Sequence, residues 1–444
     1  MGILQQRHYS IMAIMDKTDK KKIGLALSGG GYRAAAYHIG TLRALNRLGI
    51  LNDIDVISSV SGGSITSAYY ALHKDDYNDF EQSFVQKLQK GVMSNAFINT
   101  AVVVLALVLS VCFIGWWTLL PELLLLFFFG YSLLPLSFWI KRSYNKLFFK
   151  NAKLSDFPEK PLVAINSTDV ATGTLFTFSQ AKMAGYKYEG VDKKIIFDHT
   201  TFPVADAVMA SSCVPFAFSP VKINKEYCNV SFKKGETKPL LIDGGLYDNQ
   251  GAHKLSEESS NYYTQYIIVS DAGVGTMSAK WAFNIPLMLL KTVNIMMRRI
   301  KTFQMRNNIY TKQSKDMRYA YLSLEWEVSD RPIYGFVDNI SRGHIAPELY
   351  KYHNIIEEDI INLKNNDRSI SSIASKKIVA QLKQNIKWQD LESIMPTKEE
   401  YNIAKAVGTN LTSLKKGQID ALIKHSNWLT ETQIRLYLPY LITK

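Results

Sequence analysis

"LALSGGGYRAAAYHIGTLRAL", residues 25–45, begins with residues fit for a buried strand, spends three consecutive glycines, and continues as a helix. A helix start leaves several backbone N–H groups unpartnered, and the peptide dipoles add partial positive charge there. A glycine turn at that point can therefore hold an anion. Three readings compete: the phosphate of a nucleotide, the oxyanion that forms during acyl transfer, and a bare strand-to-helix turn. Gly29, Gly30 and Gly31 lack the spacing of a dinucleotide fingerprint, and the Lys and Ser or Thr of a phosphate loop are missing after them. Acyl transfer needs a nucleophile close by, so the next strand and turn decide.

"IDVISSVSGGSITSAYYAL", residues 54–72, supplies one. An apolar, β-branched strand, a tight turn and a helix follow in the order of a nucleophile elbow. Ser61 stands at its tip in Ser59-Val60-Ser61-Gly62-Gly63, where Ser replaces the first Gly of G-x-S-x-G and keeps that position small. Alone, the segment also fits an ordinary glycine turn. A Ser hydroxyl needs a base to take its proton. His38 lies in the helix of the opening stretch among Ala, Tyr and Leu, which is a packing context, and His199, His253, His344, His353 and His425 stand in no triad-like setting. "KPLLIDGGLYDNQG", residues 238–251, places Asp243 at the end of a short apolar strand, directly before Gly244 and Gly245. A poorly solvated carboxylate there gains proton affinity and approaches a working base. Taken alone, Asp-Gly is also a common turn.

Together, Gly-Gly-Gly-x-Arg after a first strand, the Ser elbow about thirty residues later and Asp-Gly-Gly at the end of a later strand resemble the patatin-like lipid acyl hydrolases. "NSTDVATGTLFTFS" (166–179), "AVMASSCVPFAFSPV" (207–221) and "IIVSDAG" (267–273) are similar to family segments in family order. "NLTSLKKGQIDALIKHSNWLTETQIRLYLP" (410–439) resembles the helical tail of one bacterial branch. The resemblance implies Ser61 as nucleophile and Asp243 as base of a Ser-Asp dyad that needs no His. It further implies an oxyanion hole from the backbone of Gly29, Gly30, Gly31 and Tyr32, with Arg33 bracing the glycine loop and Gly63, Gly244 and Gly245 in support. The implied reaction has two steps, through an acyl-enzyme, and takes no metal and no cofactor. The sequence carries no CxxC pair, no HExxH and no calcium-type Asp-x-Asp loop, and Cys112, Cys213 and Cys228 are scattered and odd in number, which favours a reducing compartment. The same Ser could pass its acyl group to another acceptor or act on a thioester. A non-enzymatic, membrane-perturbing protein is the third class, and the intact catalytic set argues against it.

Apolar strands at Gly24–Ser28, Asp55–Ser58, Leu162–Asn166, Leu240–Ile242 and Tyr266–Ser270 alternate with helical stretches. That alternation predicts an α/β fold with a mostly parallel sheet flanked by helices, the three-layer arrangement the resemblance implies, and a site at the strand C-ends. The expected organisation is a basic N-terminal segment (1–22), too weakly apolar for a signal peptide, and a catalytic α/β domain (23–91 and 150–275). A hydrophobic hairpin (92–149) interrupts that domain, and a helical C-terminal extension (276–444) packs on it.

The hairpin is the least ordinary part. From Gly91 to Pro121 no charged residue occurs, and "LLLLFFFGYSLLPLSFWI" follows Glu122. The first run exceeds the ~20 apolar residues that cross a bilayer, and the second is near the lower limit of about 17. Trp116, Trp117 and Trp139 sit toward segment ends, and Lys87, Lys90, Lys141, Arg142, Lys146 and Lys150 flank the pair, which suits two cytoplasmic ends in a bacterial inner membrane. An even number of passes keeps Ser61 and Asp243 in one compartment; entry into one leaflet only, or a buried hairpin or lid over the active site, is the alternative. Further on, Ile285, Leu289, Val293, Met296, Ile300 and Phe303 follow helical spacing, with Lys291, Arg298, Arg299, Lys301 and Arg306 on the other face. Such a stripe is expected to pack on its own domain, with an anionic lipid surface as the alternative. A net charge of +13 fits anionic phospholipid as partner, and no motif or aromatic-interleaved basic run points to nucleic acid. Bacterial proteins of the resembled family include membrane-injuring effectors of antiphage defence, which implies restraint by a partner, by oligomerisation or by a small activating ligand.

Overall fold

The computed structural model describes residues 22–186, 188, 195–230, 237–274, 284–306 and 317–443, so the basic N-terminal segment, apart from Lys22, lies outside the described residues. Strand β1 (Ile23–Leu27) is buried along its whole length and pairs in parallel on both edges. Its neighbours are β2 (Val56–Val60), with Gly24 opposite Val56, and β8 (Tyr266–Asp271), with Ile23 opposite Tyr266. Parallel pairing continues from β2 to β3 (Leu162–Asp169) and from β8 to β9 (Arg318–Ser323). Beyond β3 the pairing turns antiparallel through β4 (Thr174–Phe178) and β5 (Met183–Ala184). The order is β5-β4-β3-β2-β1-β8-β9, with β7 (Leu240–Asp243) also on β3 and β6 (Val221–Lys222) on β7. The sheet is therefore mixed, mostly parallel at its centre, and the strand predicted at Leu240–Ile242 runs antiparallel to its neighbour.

Side chains alternate across the sheet as a period of two requires. Leu25, Leu27, Ile57, Ile268 and Leu322 enter the larger core, while Ala26, Val56, Ile267, Val269 and Tyr321 enter the smaller one on the opposite face. Helices α1 (Gly31–Arg47) and α2 (Gly62–Leu72) cover the large face, and α3 (Tyr77–Leu88) packs Phe80 and Phe84 beside them. Further along come α4 (Ser94–Ile114), α5 (Leu119–Leu133), α6 (Leu136–Tyr144), α7 (Val204–Ser211), the short α8 (Gly245–Asp248) and α9 (His253–Ser256), and α10 (Ile285–Met305). Seven more helices fill Arg331 to Tyr437 among the described residues, ending in α17 (Lys416–Tyr437).

Helix α17 is a core element. A Cβ on Gly40 of α1 would collide with the Ile423 carbonyl and the Ser426 hydroxyl, so the two helices cross at near backbone contact. The Ser426 hydroxyl donates to the Tyr37 carbonyl, and the fully buried Glu431 carboxylate is met by Arg47 and, at 3.5 Å, by Arg435. Gly40→Ala is therefore expected to force the helices apart and to cost about 1–3 kcal/mol, as overpacking generally does. A lowered thermal unfolding midpoint in detergent checks this.

The hairpin lies outside both cores between residues 97 and 134, whereas Val92, Ala96, Ile140, Tyr144, Phe148 and Phe149 at its two ends belong to the larger core. Phe113 is 84% exposed and Phe127 82%, and none of residues 97–114 is buried. The second leg is interrupted, with a non-helical Phe129 inside α5 and a break at Leu134–Pro135 before α6. Both ends return to one place, where Lys87 Nζ donates to the Leu147 carbonyl at 2.6 Å.

Helix α10 departs from the expected packing. Ile285, Leu289, Met296 and Phe303 of the apolar stripe are exposed, while Lys301 pairs with the buried Asp271 and Met297 lies against Gly245. A carboxylate 1% exposed at the end of β8 requires a cation, and that demand sets the rotation of the helix against its hydrophobic preference.

Candidate active site

Strand β3 brings the two candidate catalytic residues together. Val60, the last residue of β2, stands opposite Asn166, and Asp243, the last residue of β7, stands opposite Ser167. The two strands run toward one another along one edge of β3 and stop at adjacent positions. Ser61 leaves the end of one and Asp243 closes the other, so a nucleophile and a carboxylate far apart in sequence meet. This is why β7 must be antiparallel.

Ser61 adopts φ 52°, ψ −117°, a conformation that costs a non-glycine residue on the order of 1–3 kcal/mol. Its surroundings hold it there. A Cβ on Gly62 would strike the Gly31 carbonyl, and one on Gly63 would strike the Leu27 carbonyl, so both positions are closed to side chains. The Ser61 N–H donates to the Ser211 hydroxyl at 2.9 Å, and Gly63 N–H to the Ser28 carbonyl at 3.1 Å.

Asp243 is 5% exposed and Ser61 6%. Burial pushes the Asp243 carboxyl up to about 6, against the opposing hydrogen bonds from Gly245 N–H and the Ser61 hydroxyl. The Gly245 bond measures 2.7 Å. Gly244 N–H donates to the Ser211 carbonyl at 3.2 Å, and a Cβ on Gly244 would meet the Asn166 carbonyl.

The glycine turn faces this pair. Gly29 lies close enough to Ser61 that an added Cβ would come within 3.3 Å of the Ser61 Cβ. Of the four backbone donors expected there, Gly29 N–H donates to the Asn249 carbonyl at 2.9 Å and Tyr32 N–H to the Asn410 carbonyl at 2.8 Å. The N–H groups of Gly30 (φ 140°) and Gly31 (φ 59°) have no partner among the described residues. Arg33 lies beside Gly30 and donates to the carbonyls of Ala272, at 3.0 Å, and Val407, at 3.2 Å. Burial lowers its guanidinium only to about 10, so it stays charged.

His38 is buried, with Nε2 on the Ser28 carbonyl and Nδ1 on the Ser270 hydroxyl, both at 2.9 Å. Burial lowers it to about 4, which makes it a neutral hydrogen-bonding group of the core. Among the described residues no group of three or more His, Cys, Asp or Glu converges to hold a metal ion. Ser211, Asn249 and Asn410 escaped the sequence reading. Ser211 lies in one of the segments singled out there, but nothing local marks its hydroxyl as a partner of Ser61, 150 positions away.

A layered α/β fold with a glycine turn, a serine elbow and an aspartate at its strand ends defines a class of hydrolase-like proteins. Residues 25–255, just over half of the chain, match the family described as Patatin-like phospholipase, and the chain belongs to that family. No curated protein sequence matches it. Similar solved structures include VipD from Legionella pneumophila, at 13% identity over 93% of this chain and 92% of that one, with a TM-score of 0.32. Human GIVD cytosolic phospholipase A2 gives 12% identity over 95% of this chain, which spans only 62% of that longer one, with a TM-score of 0.45. The complex of full-length SpcU with full-length ExoU from the type III secretion system of Pseudomonas aeruginosa gives 12% identity, coverage of 91% and 76%, and a TM-score of 0.24.

Proposed function

We propose that this chain is a membrane-anchored lipid acyl hydrolase of phospholipase A type that cleaves fatty acyl esters of phospholipids through Ser61 and Asp243. The observation that carries the reading is the meeting of Ser61 with a buried, proton-avid carboxylate at the end of β7, within a chain of the patatin-like phospholipase family. Ser61 Oγ attacks the ester carbonyl while Asp243 takes its proton. The Gly30 and Gly31 N–H groups, at the start of α1, stabilise the oxyanion. Asp243 then gives the proton to the departing lysolipid oxygen; water, deprotonated by the same carboxylate, attacks the acyl-enzyme, and Asp243 returns that proton to Ser61 Oγ as the fatty acid leaves.

The hairpin serves as the anchor. Helix α4, at 21 residues, is about 32 Å long, enough for a ~30 Å hydrocarbon core. Both hairpin ends and the dyad lie on the cytoplasmic face. An apolar groove of about 540 Å³ between α5 and Phe216–Ala217 adjoins the loop whose Cys213 carbonyl accepts the Asp243 N–H at 2.8 Å, a setting suited to acyl chains. The near-complete burial of the dyad fits a restrained enzyme that opens on engaging its substrate surface.

Mass spectrometry of lipid products tests the reading. Incubation with liposomes of total bacterial phospholipid is expected to yield free fatty acid and lysophospholipid from wild type and none from Ser61→Ala. Equal products from both proteins would remove Ser61 from the mechanism.

A further inference from the structure

Ser211 bonds to the backbone of Ser61 and of Gly244, the residue after Asp243, and nothing so far gives its hydroxyl a role. We propose that Ser211 is the positioning residue of this active site, its hydroxyl setting the torsion of the Ser61 elbow while its carbonyl holds the Asp243 turn. This rests on the hydrolase reading above. Ser211 is fully buried at the C-terminal end of α7. Its Oγ accepts the Ser61 N–H at 2.9 Å, donates to the Asn166 carbonyl at 2.6 Å and lies 2.9 Å from Ser64 Oγ. Donation to the Asn166 carbonyl fixes the hydroxyl proton while a lone pair accepts the Ser61 N–H, so the group is held in one orientation from both sides. Through its main chain the same residue accepts Gly244 N–H, immediately after Asp243.

The geometry explains why a hydroxyl is needed. The angle φ of Ser61 turns about its N–Cα bond, and pinning the N–H fixes the peptide plane from which Cβ and Oγ project. At φ 52° nothing intrinsic to a serine favours that plane. With the Ser211 hydroxyl removed, a buried N–H loses its partner and the elbow relaxes toward ordinary angles, which swings Oγ away from Asp243. Displacement on the order of 1 Å at a reacting atom costs up to about 100-fold in rate.

The test compares Ser211→Ala, Ser211→Thr and Ser212→Ala. Ser212 is the adjacent buried serine, and its hydroxyl bonds to the Val208 carbonyl and Tyr144 rather than to the elbow. Kinetics on a soluble short-chain ester and the rate of labelling by a fluorophosphonate are measured together with melting. Ser211→Ala is expected to lower kcat and the labelling rate together, by roughly 10- to 100-fold, with KM changed less than about twofold and the acid limb of the pH profile in place. Ser211→Thr, which keeps the hydroxyl, is expected to recover most of the rate, and Ser212→Ala to keep it. Should Ser211→Ala not fold, Ser211→Thr decides: near-wild-type labelling supports the assignment, and loss of labelling at native melting temperature overturns it. Unchanged kcat in a folded Ser211→Ala, or equal losses in Ser211→Ala and Ser212→Ala, overturns the positioning role alone. A wild type inert to both ester and fluorophosphonate overturns the hydrolase reading, and the positioning role with it.

Discussion

Asp243→Asn is expected to lower kcat/KM on phospholipid by roughly 10⁴-fold, the scale of losing a catalytic aspartate from a serine hydrolase. The amide has the shape of the carboxyl and keeps an oxygen for Gly245 N–H, but it cannot accept the Ser61 proton. The pH dependence gives a second signature. With its carboxyl pushed up to about 6 by burial, Asp243 is protonated below that value and ionised above it. Only the ionised form is a base, so wild-type kcat/KM should fall about tenfold per pH unit below 6 and level off above it, a limb the Asn variant lacks. Stability runs the other way. A carboxyl whose folded value lies above its unfolded 3.8 binds protons more tightly when folded, so stability declines as pH rises from about 4 to 6 and stays reduced beyond. The two-unit difference corresponds to about 3 kcal/mol at neutral pH, and Asp243→Asn should recover part of it at pH 8 but not at pH 4. Steady-state rates and thermal unfolding at both pH values make the comparison. Wild-type activity in the Asn variant would remove Asp243 from the mechanism.

The same residues show what a sequence can display. The glycine turn, the Ser61 elbow and the Asp243 turn were legible because each is a local event, a strand end followed by small residues and then a helix. The parallel centre of the sheet was legible for a similar reason, since β1, β2, β3 and β8 are short apolar runs between helical stretches. The antiparallel course of β7 was not, because it depends on which edge of β3 remains free once β2 ends opposite Asn166. Nor were the partners of Gly29 and Tyr32, since the carbonyls of Asn249 and Asn410 are supplied by distant loops and any residue type carries a carbonyl. The rotation of α10 was hidden by a conflict between levels: its apolar spacing pointed inward, and one ion pair to Asp271 overruled it. Periodicity reads hydrophobic faces well, but it is blind to a single buried charge that must be met.

Removing the hairpin is expected to move the protein from the membrane to the soluble fraction. Val92, Ala96 and Ile140 are buried against the domain, so the excision should spare them and replace residues 99–133 by a short Gly-Ser linker. Two elements could hold the chain at a bilayer, and their energies differ in kind. Exposed Arg298 and Arg299 on α10 contribute about 1 kcal/mol each at an anionic surface, a term that salt screens. Each hairpin leg, if inserted, contributes on the order of 5–10 kcal/mol of apolar transfer, which salt does not touch. Wild type should therefore stay with membranes through a high-salt wash, and the excised variant should be released by it. Hydrolysis of a soluble short-chain ester should survive the excision within a fewfold, because the dyad is built on β2, β3 and β7, whereas hydrolysis of vesicle phospholipid should fall by at least tenfold. A wild type washed off by salt would leave α10 as the only attachment. Loss of soluble-ester activity in a well-folded excised protein would instead mean that the groove between α5 and Phe216 shapes the site itself.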